Sequence, residues 1–133
     1  MGTHSLTTFI DEFTGKEIVV LYRQMDGYPS GHGRELFERF GNYRIRNGIP
    51  LGSRGDMDFA NGMSCFSAQV VAHFKEAWGA FYLYPTGTRG LEEEYIYTFY
   101  QKDVLRLRVT TGENETLYDG KFSEFGLAIS SID

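Results

Sequence analysis

The order of periodicities along the chain predicts an α+β fold, with an antiparallel or mixed sheet of about five to six strands and two helices on one face. Three observations carry this. Strand-like runs come first, two helical repeats occupy the middle and strand-like runs follow, so strands and helices are segregated rather than alternating as βαβ units. Between Val104 and Thr110, Leu105, Leu107 and Val109 fall on one side and Arg106 and Arg108 on the other, the pattern of a sheet with one buried face. The 133 residues, 41% hydrophobic and 23% charged, suit one globular domain spanning 1–133.

Each element follows from local chemistry. Ser5 to Asp11 and Glu17 to Gln24 read as strands joined by a hairpin loop containing Gly15. The second strand runs into Asp26-Gly27-Tyr28-Pro29-Ser30-Gly31-His32-Gly33, too rich in Gly and Pro to be regular. A helix follows from Gly31 or Arg34 to Ile45, with Leu36, Phe37, Phe40 and Tyr43 three or four apart and Ser30 as its N-cap. Gly48 to Gly62 is a polar connector, functional or mobile by its length. A second helix covers Met63 to Trp78 on the spacing of Phe66, Val70, Phe74 and Ala77, stopped by Gly79. Phe81 to Tyr84 is a short strand, and Pro85 to Gly90 a loop. Glu94 to Tyr100 and Val104 to Thr110 pair across a Gln101-Lys102-Asp103 turn, and Thr116 to Tyr118 forms a last strand. The tail from Asp119 carries no assignment.

Composition limits the function classes. Lys and Arg number 13 against 18 Asp and Glu, a formal charge of −5, which argues against a surface that tracks polymeric nucleic acid. A small anion held by a few arginines remains open. One cysteine, Cys65, allows no intramolecular disulfide and favours a cytoplasmic setting. No apolar run reaches membrane-spanning length, so no membrane partner is expected. The histidines His4, His32 and His73 lack metal-ligand spacing, so neither a metal nor another cofactor is expected. His73 reads as a half-buried packing residue and Cys65 as a buried structural thiol. Asp56 and Asp58 are two loop carboxylates that a divalent cation can use, although solvation alone explains them. The eleven Phe and nine Tyr bring aromatic content to 16%, explained by a core of large side chains or by a contact surface.

Two segments invite a ligand. Tyr22 to Arg34 is a glycine-rich turn leading into a helix, where unpaired backbone N–H groups and the helix dipole favour an anion. There Arg23, His32 and Arg34 offer charge-assisted hydrogen bonds, Tyr22 and Tyr28 offer rings for stacking, and Asp26 offers an acceptor for a hydroxyl or amine. The segment is neither a dinucleotide fingerprint nor a phosphate loop ending in Gly-Lys-Ser/Thr. An elaborate strand-to-helix connection explains the same residues. Thr86, Thr88 and Arg89 form a second candidate, with hydroxyls and a guanidinium on a turn; a solvated hairpin tip is its alternative.

Several short motifs also carry a resemblance. Met1-Gly2-Thr3-x-Ser5, Tyr22-Arg23-x-x-Asp26-Gly27-Tyr28-Pro29-x-Gly31-x-Gly33, Asn61-Gly62-Met63 and Tyr82-x-Tyr84-Pro85 resemble a set of small proteins encoded by bacteria and their phages. The resemblance spans about the first hundred residues and carries over no catalytic residue. It implies a bacterial or viral cytoplasmic origin and a phage accessory role against host defence. The expected function is a binding module that sequesters a nucleotide immune signal, of cyclic-nucleotide or ADP-ribose type, between the two Arg-bearing loops as a homo-oligomer. Two alternatives stay open: an inhibitor that binds a host defence protein, and a phosphodiesterase-like hydrolase using His32 as acid or base. No catalytic set is visible, which ranks catalysis last.

Overall fold

The computed structural model describes residues 2–48 and 58–132. Asp56 and most of the Gly48 to Gly62 connector lie outside them. The N-terminal hairpin is β1 (Ser5–Ile10) and β2 (Glu17–Arg23), antiparallel with Thr7 opposite Leu21. A turn of π-helix, Pro29–Gly33, leads into α1 (Arg34–Phe40). Two three-residue strands follow, β3 (Arg44–Arg46) and β4 (Phe59–Asn61), and then α2 (Gly62–Phe74). Strands β5 (Phe81–Tyr84), β6 (Tyr95–Lys102), β7 (Val104–Thr111) and β8 (Thr116–Lys121) precede a 3-10 turn at Phe122–Glu124 and α3 (Phe125–Ile132).

Six strands form one mixed sheet in the order β5-β2-β1-β6-β7-β8, antiparallel except where β1 pairs with β6. This is the α+β class expected. One face carries the core. Phe9, Leu21, Tyr97, Phe99, Leu105, Leu107 and Val109 point at Leu36 and Phe40 of α1, Phe66, Val70 and Phe74 of α2, and Phe125 and Ile129 of α3. Burying a Phe or Leu side chain contributes about 1.5–3 kcal/mol, so this layer holds the helices down. On the opposite face Leu6, Val20 and Ile96 are covered by Leu91, because residues 85–94 return along the sheet as a strap joining the parallel strands β5 and β6.

The structure corrects several expected boundaries. The first helix ends at Phe40, and Tyr43 and Ile45 pack inward as alternate residues of an extended segment rather than as a helical face. Ser30 lies inside the π-turn, which begins at Pro29 with Tyr28 as N-cap; proline supplies the fixed φ of a helix start. The second helix stops at Phe74, where Lys75 turns extended and its ammonium binds the carbonyls of Gly79 and Phe81. Its first turn is closed by Glu12, whose carboxylate accepts from the Met63 N–H at 3.0 Å. The described residues form three α-helices rather than two, the third in the unassigned tail. Cys65 is half-buried rather than buried, its sulfur accepting from Gln69. His73 is half-buried against Phe40 and Phe74, as expected.

Candidate functional site

The glycine-rich segment is a joint in which His32 and Arg23 turn inward while Asp26 and Ser30 stay exposed. His32 is 0% exposed and lies between the rings of Phe74 and Tyr97. Its Nδ1 sits 3.1 Å from the Arg23 guanidinium, which can only donate, so Nδ1 accepts and Nε2–H donates to Thr7 Oγ1 at 2.7 Å. Burial, and secondarily the Arg23 charge, push its pKa well below the usual histidine value. A neutral ring with both nitrogens occupied and no solvent access neither touches a ligand nor relays a proton to one. That corrects the expectation for His32 as a ligand contact and as an acid or base.

Arg23 is spent in the same joint. Its side chain, 12% exposed, donates to Glu35 at 2.5 Å and to the Met25 carbonyl at 2.6 Å, and lies over the Phe81 ring. The backbone amides proposed for an anion are likewise used: the Gly31 N–H donates to Tyr28 O and the His32 N–H to Asp26 O, both at 2.9 Å. The glycines serve close approach. A Cβ on Gly27 would stand 2.6 Å from the Ser5 Cβ, and one on Gly31 would stand 2.5 Å from the Asp26 carbonyl oxygen. Asp26 itself adopts φ 62° and accepts from the Tyr28 hydroxyl at 3.1 Å. Arg34 is half-buried at the start of α1.

The other predicted residues lie elsewhere. Tyr22 follows its strand's alternation onto the opposite face from Arg23, against His4, Tyr82 and Tyr84. Desolvation, with the neighbouring Tyr84, Glu92 and Tyr82, raises its pKa. Thr88 closes its own turn on the Pro85 carbonyl, and Thr86 is exposed. Arg89 pairs with Glu17 at 2.9 Å, and the same carboxylate accepts from the Gly87 N–H at 2.6 Å. Glu17 begins β2 and Arg23 ends it, about 20 Å apart at roughly 3.3 Å per residue. The two Arg-bearing loops therefore do not converge on one site.

What converges instead is a recess of about 650 Å³ between β3 and the β6–β7 hairpin, lined by residues 41–46, Gln101, Asp103, Val104, Leu105, Phe122 and Ser123. Its volume is in the range of small-molecule sites. One wall is β3. Tyr43 and Ile45 anchor it in the core, so alternation leaves Arg44 and Arg46 exposed. Strand β4 locks it in place: Arg44 N–H donates to Asp58 O, and the Arg46 guanidinium lies 4.7 Å over the Phe59 ring. Neither arginine forms an ion pair among the described residues. The facing wall is the hairpin. Asp103 turns the chain with φ 68° and holds an exposed carboxylate at the tip, and the buried Oε1 of Gln101 has no hydrogen-bond partner among the described residues.

A second groove of about 530 Å³, beside Glu93, Glu94 and Glu113, has the wrong sign for an anion. Among the described residues no group of three His, Cys, Asp or Glu side chains could hold a metal ion, and no helix is long and apolar enough to cross a membrane. Sequence reasoning missed the recess because the expected first helix runs through Gly41 to Ile45. The alternation Tyr43-Arg44-Ile45-Arg46 after Gly41 was the available signal. Compared with family models, curated proteins and solved structures, the chain matches none.

Proposed function

We propose that this protein is a binding module for a small anionic, nucleotide-like ligand, held in the recess between β3 and the β6–β7 hairpin. The observation that carries the reading is that wall of two exposed arginines, without carboxylate partners among the described residues, facing the acceptors of Gln101 and Asp103, on a chain whose net charge is −5. Guanidinium groups two residues apart on a strand suit adjacent phosphoryl oxygens. Asp103 and Gln101 suit hydroxyl or amino groups on the same molecule. The resemblance to small bacterial and phage proteins supports a sequestering role, with a cyclic nucleotide or ADP-ribose as the signal withheld and a homo-oligomer as the working form. Hydrolysis loses its acid or base with His32 buried and neutral.

Thermal shift against a panel of cyclic nucleotides and ADP-ribose tests the reading. A rise in Tm for at least one, lost in the Arg44→Ala/Arg46→Ala variant, is expected. No rise for any, or a rise that the double variant keeps, overturns it. Recovery of intact ligand after denaturation separates sequestration from cleavage.

A second reading has one observation behind it. Trp78, 94% exposed, neighbours the edge strand β5 with its exposed Tyr82 and Leu83, the residue types that anchor protein interfaces. A host protein docked there predicts retention on immobilised wild type and its loss with Trp78→Ala, with indifference to nucleotides.

A further inference from the structure

The arginine wall accounts for phosphate but not for the rest of the ligand, and the hairpin wall is specific in what it lacks. Resting on the anion reading above, we propose that the recess selects an amino-bearing nucleobase, whose N–H group meets the Gln101 Oε1. That oxygen is a buried acceptor without a partner in the described structure. A buried polar atom left unpaired costs about 1–3 kcal/mol, and the large majority of such atoms are paired. Gln101 extends from β6 on the core side, where its register partner is Leu105; Leu105 and Phe122 are its apolar neighbours in the recess, which the Ser123 hydroxyl also lines. Among the described residues none of these donates to its Oε1. The terminal amide torsion of a glutamine is soft, so a donor lodged in the recess draws the oxygen toward it.

The neighbouring groups narrow the chemistry. Asp103, the other polar residue of the hairpin that lines the recess, is also an acceptor, exposed and without an ion pair among the described residues. The ligand's far end must therefore donate. Phosphate and keto oxygens cannot serve there, whereas the exocyclic amine of adenine, cytosine or guanine can. The apolar wall suits the flat face of a base, and Arg44 and Arg46 across the recess suit its phosphates. The ligand class is a nucleoside diphosphate, or a larger molecule containing one, with its amino edge toward β6.

Calorimetric titration of the full chain with ADP, with purine riboside 5′-diphosphate, which lacks only the amino group, and with inorganic pyrophosphate decides the matter. The expected result is ADP binding at least ~10-fold tighter than the deaminated analogue, with pyrophosphate weakest. In Gln101→Leu the two nucleotides converge while phosphate-driven binding persists. Equal affinity for ADP and its deaminated analogue in the wild type overturns this inference and leaves the anion reading intact. Failure of all three probes to bind overturns this inference, and the anion reading falls with it only if the cyclic-nucleotide and ADP-ribose panel also gives no rise in Tm. The wild-type comparison stands by itself if Gln101→Leu fails to fold.

Discussion

The glycine-rich joint at Tyr22 to Arg34 and the recess at Gly41 to Arg46 are built from opposite kinds of residue. The joint has the composition expected of a ligand site, with Gly, Tyr, His, Arg and Asp together, yet its polar atoms find partners inside the protein: His32 with Thr7 and Arg23, and Arg23 with Glu35 and the Met25 carbonyl. The recess looks plain in sequence, yet it leaves Arg44, Arg46 and Asp103 without ion-pair partners and Gln101 Oε1 without a hydrogen bond among the described residues. Residue type indicates which chemistry a side chain can do. Whether it is free to do that chemistry depends on neighbours distant in sequence, here 25 residues away for Thr7 and His32.

Substitutions should separate the two regions sharply. Gly27→Ala or Gly31→Ala drives a methyl against the Ser5 or Asp26 backbone and should cost about 3 kcal/mol in urea unfolding. A cost under ~0.5 kcal/mol would show that the joint yields easily. His32→Ala removes a ring packed on two aromatics, strands the Thr7 hydroxyl and takes one partner from the Arg23 guanidinium; about 3 kcal/mol is expected from the same measurement.

The buried His32 also predicts a pH dependence. Its folded pKa lies well below the unfolded value near 6.5, so above that pH both states are neutral and its contribution is complete. As pH falls below 6.5 the unfolded chain takes up a proton that the folded chain refuses. Stability then drops by up to about 1.4 kcal/mol per pH unit until the folded pKa is reached. His32→Gln, which does not titrate, should flatten that part of the profile; an unchanged slope would place the titration elsewhere.

Smaller effects follow on the surface. Arg89→Ala breaks a partly solvated pair with Glu17 and should cost about 0.5 kcal/mol after screening, with nucleotide binding unchanged. Arg44→Ala/Arg46→Ala should leave stability within about 0.5 kcal/mol while abolishing nucleotide binding. If Arg89→Ala, and not the double variant, loses binding, the comparison between the regions reverses.

Much of the fold was legible because it rests on periodicity. The alternation of Leu105, Leu107 and Val109 against Arg106 and Arg108 placed β7 correctly, and Phe66, Val70 and Phe74 placed the core face of α2. Boundaries slipped where one spacing satisfies two periods. Tyr43 lies three residues past Phe40, which reads as helix, and two residues before Ile45, which reads as strand; the latter prevailed because β4 pairs with β3. Helix α3 escaped notice although Phe122, Phe125, Ile129 and Ile132 are three and four apart, because Gly126, Ser130 and Ser131 weaken its helical propensity. The site was legible only as chemistry. Nothing local shows that Arg23 meets Glu35 and a buried histidine whereas Arg44 meets no carboxylate among the described residues.

The most direct test of where a ligand sits is a titration of the isotope-labelled protein with ADP, followed through backbone amide resonances. The account predicts that the largest shifts fall at residues 41–46 and 101–105, with those of 26–34 and 86–90 nearly still. Shifts concentrated in 26–34 or 86–90, with the recess unmoved, would contradict it.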